Sequence, residues 1–227
     1  MNGKLIVLEG TDASGKSTQF ERLTKSLENE GHSLVRLAFP QYSEPSSALI
    51  RMYLSGEFGK NPNDVNPYAA ATFFAVDRYA SYKKVWKDEY ERGKTVLADR
   101  YVTSNAIHQG AKLDKNEQEA YFSWLYDFEY RLLGLPVPDA VIFLDMPPDA
   151  EQELLKKRTE KKMDIHESDS EYLKKCYETA VALCKKWNFI RIDCVKNGKI
   201  RSIDDIQNEI FILAKQLLGG NNKNASV

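Results

Sequence analysis

Gly10-Thr11-Asp12-Ala13-Ser14-Gly15-Lys16-Ser17 matches the pattern G-x-x-x-x-G-K-[ST], which is typical of a loop that binds nucleotide phosphates. The two glycines let the backbone bend tightly, so that successive N–H groups face one anion. Lys16 adds a positive charge for the β- and γ-phosphates, and the Ser17 hydroxyl is a ligand for Mg²⁺. We therefore expect this stretch to be a phosphate-binding loop.

The residues on either side of the loop support this interpretation. Lys4–Glu9 is a short apolar run, as expected of a buried strand. After the loop, Phe20, Leu23 and Leu27 follow at helical spacing, and Gly31 ends the pattern. The order of strand, loop and helix places a bound phosphate at the N-terminus of a helix.

Strands and helices alternate along the rest of the chain. Further strands are predicted at 33–39, 94–99, 139–145 and 189–193, and helices at 48–54, 67–92, 118–133, 149–158, 171–186 and 203–218. This alternation predicts an α/β fold, with a five-stranded parallel sheet covered by helices on both faces. We expect a single domain over residues 1–218, a lid at about 156–169 and a disordered tail at 219–227.

The composition excludes several classes of protein. The chain has 227 residues, a hydrophobic content of 42% and a formal net charge of −1, so there is no electrostatic case for a nucleic-acid or lipid partner. Three cysteines without motif spacing argue against disulfides and zinc. No apolar run approaches the ~20 residues of a membrane span, and no secretory segment is recognisable. The expected location is the cytoplasm.

Three residues outside the loop are candidates for binding a substrate. Phe74 and Arg78 are four residues apart on one helix face, where they can stack on and hydrogen-bond to a planar base. The alternative is a core Phe beside an Arg that reaches to water. Arg100 follows a strand, at the edge where α/β sheets bind ligands, and can hold an acceptor phosphate by two parallel hydrogen bonds. The alternative interpretation of Arg100 is that it forms an ordinary surface ion pair.

Polar residues follow Arg100 directly. Asn105 offers a donor and an acceptor to a base edge, whereas the alternative for Ser104 and Asn105 is an ordinary polar helix N-terminus. His108 is a weaker candidate, and neither His32 nor His166 belongs to a recognisable constellation. A cluster of cations suits either a lid over the transferring phosphate or a solvated helix end, and consists of Lys156, Lys157, Arg158, Lys161 and Lys162.

Together these stretches resemble the thymidylate kinase family from Leu5 to about Leu218. The resemblance rests on Glu9-Gly10, Gly15-Lys16-Ser17-Thr18, Phe39-Pro40-Gln41-Tyr42, Phe74-Ala75-Val76-Asp77-Arg78, the run from Asp99 to Asn105, Leu133-Gly134-Leu135-Pro136, and Pro138-Asp139. It implies a P-loop kinase three-layer sandwich that converts ATP and dTMP to ADP and dTDP with Mg²⁺, in a homodimer.

The resemblance also implies roles for individual residues. The stretch from Gly10 to Thr18 would bind ATP: Gly10, Thr11, Asp12, Ala13, Ser14, Gly15, Lys16, Ser17 and Thr18. Asp12 would lie near the sugar 3′-OH and the transferring group, and Ser17 and Asp99 would serve the Mg²⁺. Lys16, Asp12, Arg100 and Arg158 would be catalytic.

On the acceptor side, the resemblance implies that Phe74 stacks on thymine and that Arg78 and Asn105 read its polar edge. Arg100 would hold the dTMP phosphate with the help of Tyr42. Three further residues would complete the acceptor site, namely Phe39, Ser104 and His108.

The sequence departs from the family pattern at two positions. Some members place an Arg where this chain has Ala13, so the missing charge is expected from Arg158 in the lid. Members often have Tyr at the position of His108. In the family this position contributes to the exclusion of ribonucleotides, so His108 bears on whether this chain excludes them.

Two other functions stay open at this stage. A deoxynucleoside kinase needs a carboxylate base after the second strand, and Glu44 lies near that place. A GTPase-type switch needs Asn-Lys-x-Asp to bind guanine, and this tetrapeptide does not occur in the chain.

Overall fold

The computed structural model describes residues 2–12, 14–156, 165–166 and 169–219. The strands are β1 (Leu5–Gly10), β2 (Leu34–Ala38), β3 (Thr95–Asp99), β4 (Ala140–Asp145), β5 (Ile190–Asp193), β6 (Val195–Lys196) and β7 (Lys199–Ile200). The α-helices are α1 (Lys16–Asn29), α2 (Ala48–Leu54), α3 (Pro67–Ser81), α4 (Lys87–Glu91), α5 (Val102–Gly110), α6 (Lys115–Tyr126), α7 (Pro148–Lys156), α8 (Ser170–Lys186) and α9 (Ile203–Gly219).

The first five strands form one parallel sheet in the order β2-β3-β1-β4-β5. β1 lies at its centre, with Ile6 opposite Leu97 of β3 and Ala140 of β4. All residues of β1 are buried, as expected for a strand that is covered on both faces. Because the strands are parallel, their carboxyl ends meet at one edge, which is where β1 leads into the phosphate-binding loop.

Side chains of the central strands alternate between two hydrophobic cores. Leu5 and Val7 of β1 point into a core with α3, α5, α6 and α8, whereas Ile6 and Leu8 point into a core with α1 and α9. Helices therefore cover both faces of the sheet, as the sequence predicts. A smaller cluster contains Tyr53 and Ile165.

Two helices predicted as continuous each contain a π-helical segment. α3 continues through residues Tyr82–Trp86 into α4, and α6 continues through Asp127–Leu132. A π-helical turn holds an extra residue and so changes which side chains face the core. In the second segment, the turn leaves the carboxylate of Glu129 fully buried.

Other differences from the prediction have local causes. α6 begins three residues before the expected start at 118, because Asp114 and Glu117 form a capping box there. The strands β6 and β7 form a short antiparallel hairpin that was not predicted, with Asn197 and Gly198 at positive φ in its turn. The domain limits stay a prediction; the tail beyond 219 and most of the expected lid, 157–164 and 167–168, lie outside the described residues.

Candidate active site

The phosphate-binding loop leaves the N-terminus of α1 open to a ligand. Gly15 precedes α1 with φ 80°, a left-handed conformation that suits glycine, and no side chain caps the helix. The first N–H groups of a helix have no partner within the helix, so they are available to an anion. Gly10 is required for close packing, since a Cβ there would lie 2.6 Å from the Ser14 Oγ.

Lys16, Ser17 and Asp99 lie together beside the loop. Lys16 Nζ is 3.4 Å from Asp99 Oδ1, and the Ser17 hydroxyl donates to Asp99 Oδ2 at 3.3 Å. Burial lowers the pKa of Lys16, and the nearby Arg100 adds to this effect. Asp99 Oδ1 is buried and, within the part of the chain that the structure describes, accepts no hydrogen bond, although it is ion-paired with Lys16. A carboxylate beside a hydroxyl fits a hard cation such as Mg²⁺, whose remaining ligands are usually water and substrate phosphates.

Arg100 follows β3 and joins this strand to the loop. It adopts φ 68°, which is uncommon for a residue other than glycine. Its Nη2 donates to Asp12 Oδ1 at 2.6 Å, and its Nη1 lies 3.0 Å from His108 Nε2. Burial opposes ionisation of Asp12, but Arg100 and the other surrounding cations outweigh it and hold the pKa of Asp12 far below its usual range. Arg100 is thus a partly buried ion-pair residue and not the surface ion pair of the alternative interpretation.

His108 is neutral at physiological pH. Burial, reinforced by Arg100, lowers its pKa to about 4. A guanidinium only donates, so Nε2 of His108 accepts from Arg100 and the ring proton is on Nδ1, which faces Cys176 Sγ at 3.6 Å.

Glu9, at the end of β1, organises the start of α5. It is fully buried and accepts hydrogen bonds from the hydroxyls of Thr103 at 2.7 Å and Ser104 at 2.8 Å. Its Oε1 also lies 3.8 Å from Arg100 Nη1. Ser104 thus lies in the first turn of α5, as its alternative interpretation expects, and its partner is a carboxylate of the central strand; its role in substrate binding stays a prediction.

Arg78 and Asn105 share an acceptor that sequence reasoning did not identify. Arg78 is 2% exposed, so the alternative of a side chain reaching to water is wrong. Its Nε and Nη2 donate to the two carboxylate oxygens of Glu129 at 2.7 and 2.6 Å, and Asn105 Nδ2 donates to the same carboxylate at 3.0 Å. Phe74 is half-buried, with Tyr53 edge-on to its ring at a centroid distance of 6.3 Å.

Asp77 anchors the segment that follows β2. Its carboxylate accepts from the Gln41 backbone N–H at 2.8 Å and from the Ser46 hydroxyl at 2.6 Å. These bonds fix the path of the chain through Phe39 and Tyr42. The sequence contains Asp77 within the motif next to Arg78, but nothing in its spacing indicates this role.

Two further residues of the site were not predicted. The ring of His166 lies parallel to that of His108, with centroids 6.0 Å apart, and its Nε2 is 2.7 Å from the Tyr53 hydroxyl. The expectation that His166 has no constellation is therefore wrong. Gln109 is fully buried, and neither its amide oxygen nor its amide nitrogen has a hydrogen-bond partner among the residues that the structure describes.

Most of the predicted site residues line one cavity of about 560 Å³. The predicted site residues on its wall are Thr11, Asp12, Ser14, Gly15, Lys16, Ser17, Thr18, Phe39, Tyr42, Phe74, Arg78, Asp99, Arg100, Ser104, Asn105 and His108. Gln109 and His166 also line it. Gly10 acts behind the wall as a packing residue, and Ala13 and Arg158 lie outside the described residues.

The family model described as thymidylate kinase matches residues 8–210. The chain belongs to the thymidylate kinase family. The comparison confirms the enzyme class expected from the sequence, an ATP-dependent kinase whose acceptor is dTMP, in the synthesis of dTTP.

Individual thymidylate kinases resemble the chain over most of its length. The thymidylate kinase of Mycobacterium tuberculosis strain H37Rv is 35% identical over 173 residues, which cover 74% of this chain and 79% of that protein. The probable thymidylate kinase of Pyrococcus horikoshii is 32% identical over 96% of this chain and 100% of its own. The solved structure of thymidylate kinase from Candida albicans aligns with a TM-score of 0.69 at 22% identity, covering 95% of this chain and 92% of that chain, and it confirms the fold.

Within the described residues, no helix is both long enough and apolar enough to cross a bilayer.

Proposed function

We propose that the protein uses this cavity to transfer the γ-phosphoryl group of ATP to the phosphate of dTMP, with Mg²⁺ as cofactor. The observation that carries this proposal is that one cavity holds both the open N-terminus of α1 and the set of Phe74, Arg78 and Asn105, of which the two polar side chains are buried. The first suits a triphosphate and the second suits a planar base with polar edges. Family membership supports pairing ATP with dTMP.

The loop and Arg100 would supply most of the catalytic effect by positioning and charge. The N–H groups of α1 and the ammonium of Lys16 would hold the donor phosphates, and Arg100 would hold the acceptor phosphate. The acceptor phosphate is already anionic, so the transfer needs no strong general base. Ser17 and Asp99 would hold the Mg²⁺, which would supply positive charge against the negative charge of the phosphates.

Arg78 and Asn105 would read the base. Arg78 keeps two N–H groups beyond the three that bond to Glu129 and to the Tyr101 carbonyl, out of the five of a guanidinium. These suit the 4-carbonyl of thymine. The Asn105 Oδ1 would accept from the 3-N–H, while Phe74 would stack on the ring. Gln109, whose amide oxygen and nitrogen make no hydrogen bond to any described residue, is a further candidate for a polar contact.

Arg158 would supply the lid cation that the absence of Arg at position 13 requires. Both positions lie outside the described residues, so this role rests on the sequence resemblance. His108 would lie beside the sugar, where its contact with Arg100 couples it to the acceptor phosphate.

The exposed apolar side chains of α3 support a homodimer. Val76 and Tyr79 are three residues apart on one helix face and remain exposed, as does Val85 further along. We propose that a second copy of the chain covers this face, which sedimentation velocity would test. The three cysteines are free and buried, which supports a reducing compartment such as the cytoplasm.

The rival function of a deoxynucleoside kinase has less support. Glu44, the candidate base, is absent from the described residues that line the cavity and instead lies 3.5 Å from Lys84 Nζ.

A coupled assay of ADP release separates these functions. With ATP and Mg²⁺, the protein is expected to phosphorylate dTMP and to leave thymidine unchanged, and addition of EDTA is expected to stop the reaction. Turnover of thymidine at the rate of dTMP would contradict the proposal and restore the nucleoside kinase alternative.

A further inference from the structure

The carboxylate of Glu129 contacts both Arg78 and Asn105, the two side chains that are proposed to read the base. It lies on the π-helical segment after α6, is fully buried, and is 51 residues away from Arg78 in sequence. Oε2 accepts from Arg78 Nε at 2.7 Å, while Oε1 accepts from Arg78 Nη2 at 2.6 Å and from Asn105 Nδ2 at 3.0 Å. Three donors from α3 and α5 thus converge on one carboxylate.

This arrangement fixes the orientation of the Asn105 amide. Its Nδ2 donates both to Glu129 and to the Ala71 carbonyl at 3.0 Å, and both partners can only accept. A flipped amide would place its oxygen against two acceptors. Among the described residues, no hydrogen bond reaches Asn105 Oδ1, which leaves this acceptor for a ligand in the cavity.

The same carboxylate fixes the guanidinium of Arg78. Two parallel hydrogen bonds define the plane of the group, and Nη1 is further held by the Tyr101 carbonyl at 3.4 Å. Burial alone would lower the pKa of Arg78, but Glu129 more than compensates and raises it, so the group stays charged and acts only as a donor.

We propose that Glu129 is a positioning residue that sets the choice of acceptor base. By holding Arg78 as a donor and Asn105 with its oxygen towards the cavity, it would present a pattern that matches the 4-carbonyl and 3-N–H of thymine. Cytosine carries an amine and a bare ring nitrogen at these positions. This inference rests on the proposed function, because it assigns a role within base recognition by the same site.

A purely structural role for Glu129 makes a different prediction. If the carboxylate only neutralised Arg78, its loss would weaken every acceptor equally. In the positioning role, Glu129→Gln replaces one carboxylate oxygen with an amide N–H, which cannot accept from Arg78 or from Asn105. One of the contacts that orient these two side chains is then lost, although the Ala71 carbonyl still accepts from Asn105. The variant would therefore lose more activity with dTMP than with dCMP, because the pattern that matches thymine is no longer held in place.

The test compares Glu129→Gln with Glu129→Asp, which keeps the charge, and with the control Glu119→Gln on the exposed side of α6. In Glu129→Gln, we expect the dTMP/dCMP ratio of kcat/KM to fall at least tenfold, while KM for ATP stays within about twofold. Glu129→Asp should retain more of the ratio, and Glu119→Gln should retain all of it. A folded Glu129→Gln variant that loses both acceptors equally would overturn the proposal.

A measurement on the wild type is independent of whether the variants fold. In arginine-labelled protein without nucleotide, the Nε–H of Arg78, assigned from its absence in Arg78→Lys, should exchange slowly with solvent. Fast exchange that becomes slow only with dTMP would mean that the nucleotide orders Arg78, and would overturn the positioning role. Failure of the wild type to use dTMP would instead contradict the proposed function, whereas normal wild-type selectivity with an unchanged ratio in Glu129→Gln contradicts only the role of Glu129.

Discussion

Arg100 Nη2 donates to Asp12 Oδ1 at 2.6 Å, so the residue proposed to hold the acceptor phosphate is joined to the phosphate-binding loop. Both side chains are mostly buried, and the pair lies on the wall of the cavity. In the proposed role, an acceptor phosphate that binds Arg100 would compete with the Asp12 carboxylate for the same N–H groups. Asp12 would then hold Arg100 in place before the phosphate arrives, at some cost to phosphate affinity.

Asp12→Asn is expected to separate binding from turnover. Without the competing carboxylate, the Kd for dTMP should stay the same or fall. The kcat should fall roughly 10- to 100-fold, because Arg100 and the transferring group lose a fixed neighbour. Calorimetric titration with dTMP and steady-state kinetics measure the two quantities. A large rise in Kd with an unchanged kcat would show that Asp12 only aids binding.

Arg100→Ala is expected to damage use of dTMP more than binding of ATP. Loss of a charge-assisted contact to the acceptor phosphate should lower kcat/KM for dTMP by roughly 10²-fold or more. Arg92→Ala, at an exposed position, is the matched control. Titrations with each nucleotide check the assignment, which is reversed if ATP affinity falls and dTMP affinity is preserved.

Lys16→Ala is expected to abolish measurable turnover with little loss of fold. In the proposed role, its ammonium would face the charge that develops on the phosphates during transfer, where loss of one donor lowers kcat by at least about 10²–10³. Lys25→Ala, on the exposed side of α1, should keep full activity. Circular dichroism verifies the fold of both variants. Wild-type kcat in Lys16→Ala would place catalysis elsewhere.

His108 is expected to make stability fall as the pH is lowered. Its folded-state pKa is about 4, below the unfolded value near 6.5, so the unfolded chain binds more protons between these values. Neutral His108 therefore contributes its full share to the free energy of unfolding above pH 6.5, and this share is lost towards pH 4. Between pH 6.5 and pH 5 the loss is on the order of 1–2 kcal/mol. Urea unfolding of wild type and His108→Gln tests this, with His32→Gln as control. Equal pH slopes in wild type and His108→Gln would contradict it.

Local signals made most of the fold predictable. The strand, glycine loop and helix around Lys16 are adjacent in sequence, and the bounds of α2 at Ala48–Leu54 were predicted without error. The β6–β7 hairpin was missed although Asn197-Gly198 is a strong turn signal. The π-helical segments differ from α-helix by one residue per turn, which hydrophobic spacing in a single sequence does not resolve.

The site was predictable where its residues sit in motifs, and unpredictable where they act across the fold. Glu129 lies in Tyr126-Asp127-Phe128-Glu129-Tyr130-Arg131, which reads as a partly solvated helix, and its partner Arg78 is far away in sequence. Gln109 and His166 carry no motif of their own. Their roles depend on burial and on long-range contacts, which only the folded chain provides.

The most direct test of base recognition is the ratio of kcat/KM for dTMP and dCMP in the wild type. Sites built on complementary hydrogen bonds discriminate by about 10⁴, so we expect kcat/KM for dTMP to exceed that for dCMP by roughly three orders of magnitude or more. We expect only a modest preference for dTMP over dUMP, because the two bases differ by one methyl group. Arg78→Ala should lower the ratio of kcat/KM for dTMP to that for dCMP. If the wild type phosphorylated dCMP as fast as dTMP, the assignment of Arg78 and Asn105 to base reading would be contradicted.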